Sequence, residues 1–339
     1  MSGSAARSAH GESRLRAVVS GTGSSLPPGV LTNRDLEKMV DTSDDWITTR
    51  TGIKERRIAG EGEYLSQYAT EAARKALEMS GVPAEEIDLI ICATVTPDRQ
   101  IPSTACTIQD NLGASRAAAF DLAAGCSGYI YGLAAADRFI VGGGFRHVLV
   151  IGAELLSKYV DWKDRTTCII FADGAGATLL SAREGTSGVL ATSLRSDGSM
   201  ADFIYLPAGG TMMPTSEQTV RDRMHFIRMK GNETFKIAVR SIEEVSREVI
   251  TASGLTPSDI DLYIPHQANR RIIEAVGTRL GLRPDQLYMN IDRVGNTSSA
   301  SIPIALDEVV RAGKVHAGDT VLFAAFGAGL TWGAALLRW

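Results

Sequence analysis

The chain has 339 residues, of which 44% are hydrophobic and 22% charged, and its formal net charge is −4. This composition is typical of a globular protein with one large core or two domains, and it excludes a generally basic surface for nucleic acid. No run approaches the ~18 apolar residues of a membrane-spanning helix. We therefore expect a soluble, cytoplasmic protein without a membrane or nucleic-acid partner.

The first 13 residues are small and polar and contain no apolar stretch of the kind found in signal peptides. They predict a disordered tail, residues 1–13. The chain has four cysteines, none in a CxxC or metal-ligand spacing: Cys92, Cys106, Cys126 and Cys168. Their apolar neighbours are typical of reduced thiols in a cytosolic enzyme, and we expect no metal site.

Two halves of the chain repeat the same motifs in the same order. A segment at residues 80–91 returns at 253–264, a turn at Cys126 has a counterpart near Asn296, and FADGAGATLL returns as FGAGLTWGAALL. The helical pattern of residues 67–80, 127–141, 234–252 and 299–311 alternates with strand patterns that include 148–152 and 320–325. Three ordered repeats indicate a duplicated α/β unit with mainly parallel sheets covered by helices. We divide the chain into residues 14–185 and 186–339.

Cys126 follows a short strand, in the segment FDLAAGCSGYIYGL, and precedes a helix. Unpaired N–H groups and the macrodipole at a helix N-terminus favour an anion, so we expect the pKa of this thiol to be lowered. A buried structural cysteine is the alternative interpretation. The duplication places the turns of Cys126 and Asn296 at a common centre, which favours a nucleophile.

His266 leaves the second copy of the repeated strand, in the segment YIPHQANRR. In parallel α/β sheets functional residues collect at strand ends and helix starts. A lone histidine is more often structural, but its position opposite Cys126 and Asn296 predicts a catalytic one.

Residues 197–233 are rich in Gly, Met, Pro and Arg without a clear period, and we expect a cap or loop region there. Gly21-Thr22-Gly23 follows an apolar strand and invites comparison with a dinucleotide-binding loop. No third glycine follows, and Pro27-Pro28 would block the helix that holds the pyrophosphate. We reject that alternative.

The motifs AAGCSGY, PHQANRRI, GNTSSASIPIAL, DTSDDWITTRTGI and FGAGLTWGAALLRW together resemble the 3-oxoacyl-[acyl-carrier-protein] synthase III family of condensing enzymes. The resemblance extends from about residue 15 to Trp339. It implies a thiolase-like fold, which is an α/β fold with an internally duplicated five-layered α/β/α/β/α arrangement, and a homodimer. It also implies the substrates acyl-CoA and malonyl-acyl carrier protein, with no cofactor.

The resemblance assigns catalysis to Cys126 as nucleophile and to His266 and Asn296 as hydrogen-bond donors to an enolate. An imidazole and an amide suit charge stabilisation better than proton abstraction, because the amide cannot act as a base. The family's oxyanion hole corresponds to the backbone N–H groups of Cys126 and Ala328. Some members carry glycine at the position of Ala328, so we expect a positive φ to be harder to reach here.

Residues for three further sites follow from the same resemblance. The proposed CoA site comprises Trp46, Arg50, Thr51, Arg165 and Asn269. The acyl pocket comprises Ile101, Leu156 and Phe171, with Ile101 reaching across the dimer interface. The resemblance assigns docking of the acidic carrier protein to Lys236, Arg271 and Arg279. An ordinary solvated surface residue is the alternative interpretation for each of them.

The expected activity is decarboxylative condensation of an acyl-CoA primer with malonyl-acyl carrier protein, which initiates type II fatty acid synthesis. A relative that loads an unusual starter or transfers an acyl group in secondary metabolism is the alternative. A plant-type polyketide synthase and a non-catalytic partner of an active synthase fit the motifs less well. The sequence leaves the preferred primer open.

Overall fold

The computed structural model describes residues 14–339, apart from the side chain of Asn232. The tail predicted at residues 1–13 lies outside the described residues. The first half contains strands β1 (Arg14–Ser25), β2 (Gly29–Thr32), β3 (Glu55–Ile58), β4 (Leu89–Ala93), β5 (Ala118–Leu122), β6 (His147–Leu155) and β7 (Asp173–Gly185). Its helices are α1 (Asn33–Leu36), α2 (Asp44–Thr51), α3 (Leu65–Ser80), α4 (Thr104–Leu112) and α5 (Gly128–Val141).

The second half begins its regular structure with β8, at Gly188. Its strands are β8 (Gly188–Ser196), β9 (Ile204–Tyr205), β10 (Arg228–Met229), β11 (Leu262–Pro265), β12 (Thr320–Gly327) and β13 (Thr331–Arg338). Its helices are α6 (Glu217–Arg221), α7 (Gly231–Ala252), α8 (Arg270–Leu280), α9 (Ile291–Val294) and α10 (Ser301–Arg311). Short 3₁₀ turns cover Ala84–Glu86, Gly125–Ser127, Leu156–Lys158, Gly198–Phe203, Pro257–Asp259, Pro284–Gln286 and Ser298–Ala300.

The two large sheets have the same strand order. The first is β5-β4-β6-β7-β1, and the second is β11-β12-β13-β8, which corresponds to β4-β6-β7-β1. A parallel bridge between Leu287 and Tyr263 of β11 lies where an equivalent of β5 would pair. Parallel pairs join β4 to β5 and β6, and β11 to β12, whereas the pairs that involve β7 and β13 are antiparallel. This equivalence confirms the predicted duplication of the fold. The boundary predicted between residues 185 and 186 lies in the connection between β7 and β8.

Helices separate and cover the sheets in five layers. α3 and α4 pack on the outer face of the first sheet, α5 and α10 lie between the two sheets, and α7 and α8 cover the second sheet. The central layer holds the largest apolar cluster, to which α5, α10 and both inner sheet faces contribute. Each outer layer has a cluster of its own. The predicted α/β/α/β/α arrangement is therefore confirmed.

The glycines of the Gly21-Thr22-Gly23 segment have a packing role. A Cβ atom on Gly21 would lie 2.1 Å from the carbonyl oxygen of Ala76, and one on Gly23 would lie 2.1 Å from that of Ala72. Both carbonyls belong to α3. The two glycines therefore let α3 pack directly on the backbone of β1, which agrees with the rejection of a dinucleotide loop.

Residues 197–233, predicted as a cap or loop region, form short elements next to the site. β9 pairs with β10 in a two-stranded sheet. Ile227 and Met229 pack against the apolar cluster that contains Ile47, Ile169 and Phe171. The segment thus covers one side of the cavity described below.

Candidate active site

Both halves of the duplication line one cavity of about 690 Å³. Cys126 comes from the first half, and His266 and Asn296 come from the second. Cys126 lies in the 3₁₀ turn between β5 and α5, and His266 directly follows β11. Asn296 lies two residues before the turn Ser298–Ala300 that leads into α10. The equivalent turns of the two copies therefore meet, as the duplication predicts.

Hydrogen bonds tie the turn of Cys126 to β13. The Ser127 hydroxyl donates to the Thr331 carbonyl at 2.9 Å, and the Thr331 hydroxyl donates to the Ala124 carbonyl at 2.8 Å. One residue on each side of Cys126 is thus anchored to the opposite half of the molecule. The arrangement fixes the backbone that presents the sulfur atom.

The ionisation of Cys126 differs from the sequence-based expectation. Burial raises the pKa of its thiol to about 11, and the neighbouring Ser298 side chain opposes this increase only in part. The negative charge of Glu154 raises the pKa further. Although part of the Cys126 surface is exposed, desolvation is the largest influence on its pKa, and a thiol with a pKa of about 11 is protonated at neutral pH. Nucleophilic attack then needs a proton acceptor.

His266 is buried, with 4% of its surface exposed, and its imidazole is neutral. Burial lowers its pKa to about 3. Its Nδ1 atom lies 2.7 Å from the Ser301 hydroxyl, which also accepts the Gln267 backbone N–H at 3.2 Å. When Ser301 donates its proton to Nδ1, the imidazole proton lies on Nε2. His266 can then donate a hydrogen bond to a substrate oxygen over the neutral pH range.

Asn296 is held by its neighbours in one orientation. Its backbone N–H donates to the Ile170 carbonyl and its carbonyl accepts the Ala172 N–H, at 3.1 and 2.9 Å. The Ser298 N–H donates to Oδ1 at 2.9 Å. Because Oδ1 is the acceptor in this bond, the Nδ2 group keeps its hydrogens for another acceptor.

Two glycines allow β12 to approach the nucleophile turn. A Cβ atom on Gly327 would lie 2.4 Å from the Cys126 nitrogen, and one on Gly125, whose φ is +52°, would lie 2.8 Å from the Ala328 nitrogen. The Ala328 N–H therefore lies against the turn of Cys126. Within residues 14–339, Arg223 and Ser298 are the non-glycine residues with positive φ. The expected conformational difficulty at Ala328 does not arise.

A tryptophan and two arginines lie at the cavity entrance. The guanidinium of Arg50 lies 4.6 Å from the centre of the Trp46 ring, and that of Arg165 lies 5.6 Å from it. Arg165 also donates to the Asp41 carbonyl at 2.7 Å. A planar base stacked between Trp46 and Arg165 needs about 7 Å between them, which is twice a van der Waals contact. Arg165 must therefore move outward for such a base to enter.

Thr51 and Asn269 also line the cavity, but their polar atoms already serve the local structure. The Thr51 hydroxyl donates to the Ile47 carbonyl and accepts the Ile53 N–H. Asn269 caps α8 by accepting the Arg271 N–H at 2.9 Å, and it donates to the Arg50 carbonyl at 3.0 Å. Both residues shape the entrance. The Thr51 hydroxyl has no further hydrogen to donate, whereas one Nδ2–H of Asn269 stays available.

The three residues expected in an acyl pocket lie in three different environments. Phe171 is buried and lines the cavity. Leu156 belongs to the same apolar cluster as Phe171 but does not line the cavity. Ile101 is 87% exposed and also lies outside the cavity of its own chain.

The basic residues expected to dock a carrier protein also separate. Lys236 and Arg271 are exposed and line the cavity, and the Arg271 guanidinium lies 5.4 Å from the centre of the Phe235 ring. Arg279 lies two turns further along α8, outside the cavity, and its guanidinium donates to Glu243 at 2.9 Å. Its charge is thus partly neutralised.

Sequence reasoning missed several residues of the site. Much of the cavity wall is apolar and comes from elements that carry no motif: Ile169, Ile204, Met229, Phe235, Ile242 and Phe326. Ser298 and Ser301 were within the quoted GNTSSASIP segment, two and five residues after Asn296. Glu154 was detectable as a lone carboxylate near the end of an apolar strand.

Among residues 14–339, no helix is long and apolar enough to cross a membrane. No group of three or more histidine, cysteine or acidic side chains in this part of the chain is placed to hold a metal ion.

The duplicated fold and a cysteine, a histidine and an asparagine in a shared cavity define a thiolase-like condensing enzyme. The models of the 3-oxoacyl-[acyl-carrier-protein] synthase III family match residues 120–198 and, for its C-terminal part, 250–339. The β-ketoacyl-[acyl-carrier-protein] synthase III of Caldanaerobacter subterraneus is 55% identical over 326 residues, which cover 96% of this chain and 98% of that protein. The chain belongs to the 3-oxoacyl-[acyl-carrier-protein] synthase III family and is an acyl-transferring enzyme.

Solved structures agree with this assignment. The 3-oxoacyl-[acyl-carrier-protein] synthase III of Aquifex aeolicus has a TM-score of 0.89 and 51% identity, and the alignment covers 95% of this chain and 100% of that one. The priming β-ketosynthase of the R1128 polyketide biosynthetic pathway has a TM-score of 0.88 and 35% identity, with 96% and 97% covered.

Proposed function

We propose that the chain condenses an acyl-CoA primer with malonyl-acyl carrier protein, releases CO₂ and so initiates type II fatty acid synthesis. The observation that carries the proposal is the convergence of Cys126, neutral His266 and Asn296 on one cavity. One nucleophile and two neutral hydrogen-bond donors are what a decarboxylative condensation requires. The reaction needs no cofactor.

In the first half-reaction, Cys126 attacks the thioester carbonyl of acyl-CoA. The carbonyl oxygen becomes negatively charged as the sulfur–carbon bond forms. The backbone N–H groups of Cys126 and Ala328 donate to this oxygen, and the Ala328 N–H has no acceptor within residues 14–339. CoA leaves, and the acyl group stays on Cys126.

In the second half-reaction, malonyl-acyl carrier protein loses CO₂ and its thioester oxygen becomes an enolate. His266 Nε2–H and Asn296 Nδ2–H donate to that oxygen. Such donors are commonly worth about 3–4 kcal/mol each in the transition state. The enolate carbon then attacks the acyl group on Cys126, which gives the 3-oxoacyl product and frees the thiol.

The substrates reach these groups through the entrance. Trp46 and Arg165 stack on the CoA adenine, with Arg50, Thr51 and Asn269 forming the wall beside the pantetheine and phosphates. Lys236 and Arg271 offer positive charge to the acidic carrier protein at the same entrance. Arg279 contributes less to binding of the carrier protein, because its charge is paired with Glu243.

We also propose a homodimer in which Ile101 completes the acyl pocket of the partner subunit. Exposure of 87% is unusual for an isoleucine, and it would be removed by such an interface. Phe171 then forms the wall within one chain, while Leu156 supports it from behind. Sedimentation equilibrium that returned the mass of a single chain would contradict this proposal.

Loading of an unusual starter in secondary metabolism is the second candidate. The 35% identity with a priming β-ketosynthase of a polyketide pathway favours it. The two candidates share the mechanism and differ in the primer. Competition among acetyl-, branched-chain and longer acyl-CoAs separates them, because the preferred primer forms the adduct with the highest kcat/KM.

Intact-mass measurement after incubation with acyl-CoA tests the proposed function. We expect one acyl adduct per chain, mapped to Cys126, and no adduct in the folded Cys126→Ser variant. Cys168→Ser is a suitable control, because Cys168 is a buried thiol that does not line the cavity. An adduct that persists in Cys126→Ser, or that maps to another cysteine, would show that the nucleophile is elsewhere.

A further inference from the structure

Glu154 is a fully buried carboxylate beside the proposed nucleophile. It is the second-last residue of β6 and has no exposed surface. None of the ion pairs found among residues 14–339 includes it, and its partners are hydroxyl and backbone N–H groups. Burial raises its pKa to about 7. A buried carboxylate without a counter-ion is costly for folding, and such groups are concentrated at functional sites.

Two hydroxyl donors to Glu154 differ in what else they contact. The Thr96 hydroxyl has a fixed direction, and the Ser298 hydroxyl lies next to the candidate active site. The Thr96 hydroxyl donates to Oε2 at 2.7 Å while it accepts the Leu155 N–H, so its direction is set. The Ser298 hydroxyl donates to Oε1 at 3.2 Å. The turn that begins with Ser298 packs against the turn of Cys126, and the Ser298 side chain lowers the pKa of the Cys126 thiol. Ser298 therefore lies between the carboxylate and the sulfur.

Ser298 is held in this position by its backbone. Its φ of +50° is rare for a residue other than glycine, and its N–H donates to the Asn296 side chain at 2.9 Å. Uncommon backbone conformations persist where the surrounding structure enforces them, and they cluster at active sites. Here the conformation places one hydroxyl between a thiol and a carboxylate.

We propose that Glu154 accepts, through the Ser298 hydroxyl, the proton that Cys126 loses on attacking acyl-CoA, and that it returns this proton when the acyl group leaves Cys126. The inference rests on the proposed function, because it assumes acylation at Cys126. It assigns to Glu154 and Ser298 a role that is separate from the donors His266 and Asn296.

The proton and electron balance closes over the two half-reactions. As the Cys126 sulfur bonds to the acyl carbon, its proton passes to Ser298 and the Ser298 proton passes to Glu154. CoA departs with the electron pair of its carbon–sulfur bond and takes a proton from solvent. When the enolate carbon later displaces Cys126, the thiolate recovers the proton from Glu154 through Ser298. One solvent proton is consumed per turnover, as decarboxylative condensation requires.

Glu154 is a better proton acceptor than His266. The imidazole pKa is lowered to about 3, and its Nδ1 atom is occupied by Ser301. Glu154 and Cys126 are close enough for the carboxylate charge to raise the pKa of the thiol. The two groups together therefore favour the state in which only one of them is ionised. The Glu154 charge also raises the pKa of Cys92 and Tyr159, and burial raises it more, so both groups stay protonated.

Single-turnover acylation by acetyl-CoA tests the proposal in the Glu154→Gln variant, which keeps the shape of the side chain. We expect acylation to slow by about 100-fold or more, the usual contribution of a general base. Its rate should also lose the rise near neutral pH that titration of Glu154 gives the wild type. Decarboxylation of malonyl-acyl carrier protein by the unacylated enzyme should change much less.

A second variant and a matched control distinguish the proton transfer from Cys126 through Ser298 to Glu154, here called the relay, from a structural effect of the substitution. Ser298→Gly removes the hydroxyl, tolerates positive φ and keeps the N–H, so it should reproduce the acylation defect. Asp173→Asn neutralises another buried carboxylate that is bonded to Ser157 and lies outside the cavity, and it should acylate normally.

The outcomes distinguish the two proposals. Normal acylation in Glu154→Gln or Ser298→Gly would overturn the relay while leaving the acyl-cysteine intact. An equal loss of acylation and decarboxylation, or the same defect in Asp173→Asn, would also overturn it, because the effect would then be structural. Absence of a Cys126 adduct in the wild type would instead reject the proposed function.

Discussion

At the scale of single residues, burial keeps two titratable side chains proposed for catalysis, Cys126 and His266, uncharged. The Cys126 thiol is protonated, because burial raises its pKa, and the His266 imidazole is neutral, because burial lowers its pKa. Desolvation acts on both groups in the same sense, since it disfavours whichever form is charged. The cavity therefore begins the reaction with neutral groups and needs charge stabilisation only where substrate charge develops.

Asn296→Ala should separate the two half-reactions. The variant loses an Nδ2–H donor to the enolate and also the acceptor of the Ser298 N–H, so formation of the acyl adduct should change far less than decarboxylation. Release of CO₂ from malonyl-acyl carrier protein should fall by about 100- to 1,000-fold, the usual effect of removing one such donor. Normal CO₂ release, measured with labelled malonyl-acyl carrier protein, would rule out the enolate role of Asn296.

At the scale of elements, the close approach of β12 to the nucleophile turn positions Cys126. The turn belongs to the first half and β12 to the second, and they meet at Gly327 without space for a methyl group. β13 adds the hydrogen bonds between Thr331 and the residues that flank Cys126. Packing between the halves, rather than local sequence, thus sets where the sulfur lies.

Gly327→Ala should move the nucleophile turn. The new Cβ atom would lie 2.4 Å from the Cys126 nitrogen, so the backbone must shift. We expect a loss of about 1–3 kcal/mol in the free energy of unfolding, as for other overpacked sites. Displacement of a reacting group by about 1 Å can cost 100-fold in rate, so acylation should slow to a similar degree.

Gly198→Ala is the matched control for this variant. A Cβ atom there has nothing within 4 Å, and its φ is not positive. Stability by urea unfolding and acylation by mass spectrometry should match the wild type. If Gly327→Ala behaved in the same way, the close contact between β12 and the turn would not matter for catalysis.

At the scale of the whole molecule, the net charge of −4 opposes the proposed binding of an acidic carrier protein. The proposed basic entrance would provide a local attraction. Lys236 on α7 and Arg271 on α8 line the cavity, and neither takes part in the ion pairs found within residues 14–339. Charges at the rim of an interface act chiefly on the association rate and are screened by salt.

Arg271→Glu should weaken the use of malonyl-acyl carrier protein selectively. We expect KM for this substrate to rise roughly tenfold at low ionic strength and less at high salt. Acylation of Cys126 by acetyl-CoA should change little. Steady-state kinetics at two salt concentrations provides the measurement.

Arg183→Glu is a control with the same change of charge. Arg183 is exposed on β7, ten residues from the end of that strand near the cavity. It should leave both substrates unaffected. Equal impairment of both substrates in Arg271→Glu would point to a distorted cavity, and no impairment would place the docking surface elsewhere.

The sequence by itself determined the architecture and the central residues of the site. Repeated motifs and alternating periodicities predicted the duplication, and the helices predicted at 67–80 and 127–141 occur at Leu65–Ser80 and Gly128–Val141. Equivalent turns of a duplicated α/β unit meet by symmetry, so Cys126 and Asn296 could be placed together without coordinates. Local patterns carry this information because backbone hydrogen bonding and the burial of one apolar face depend on nearby residues.

The tertiary structure alone decided the electrostatics and the walls of the cavity. The helix-start position of Cys126 predicted a lowered pKa, whereas burial, which depends on distant segments, raises it. The bond between Ser298 and Glu154 joins residues 144 positions apart. Leu156 and Arg279 matched the family pattern, yet Leu156 packs in an apolar cluster without lining the cavity, and Arg279 pairs with Glu243. Desolvation and side-chain contacts arise between segments that only folding brings together, so they are not readable from local sequence.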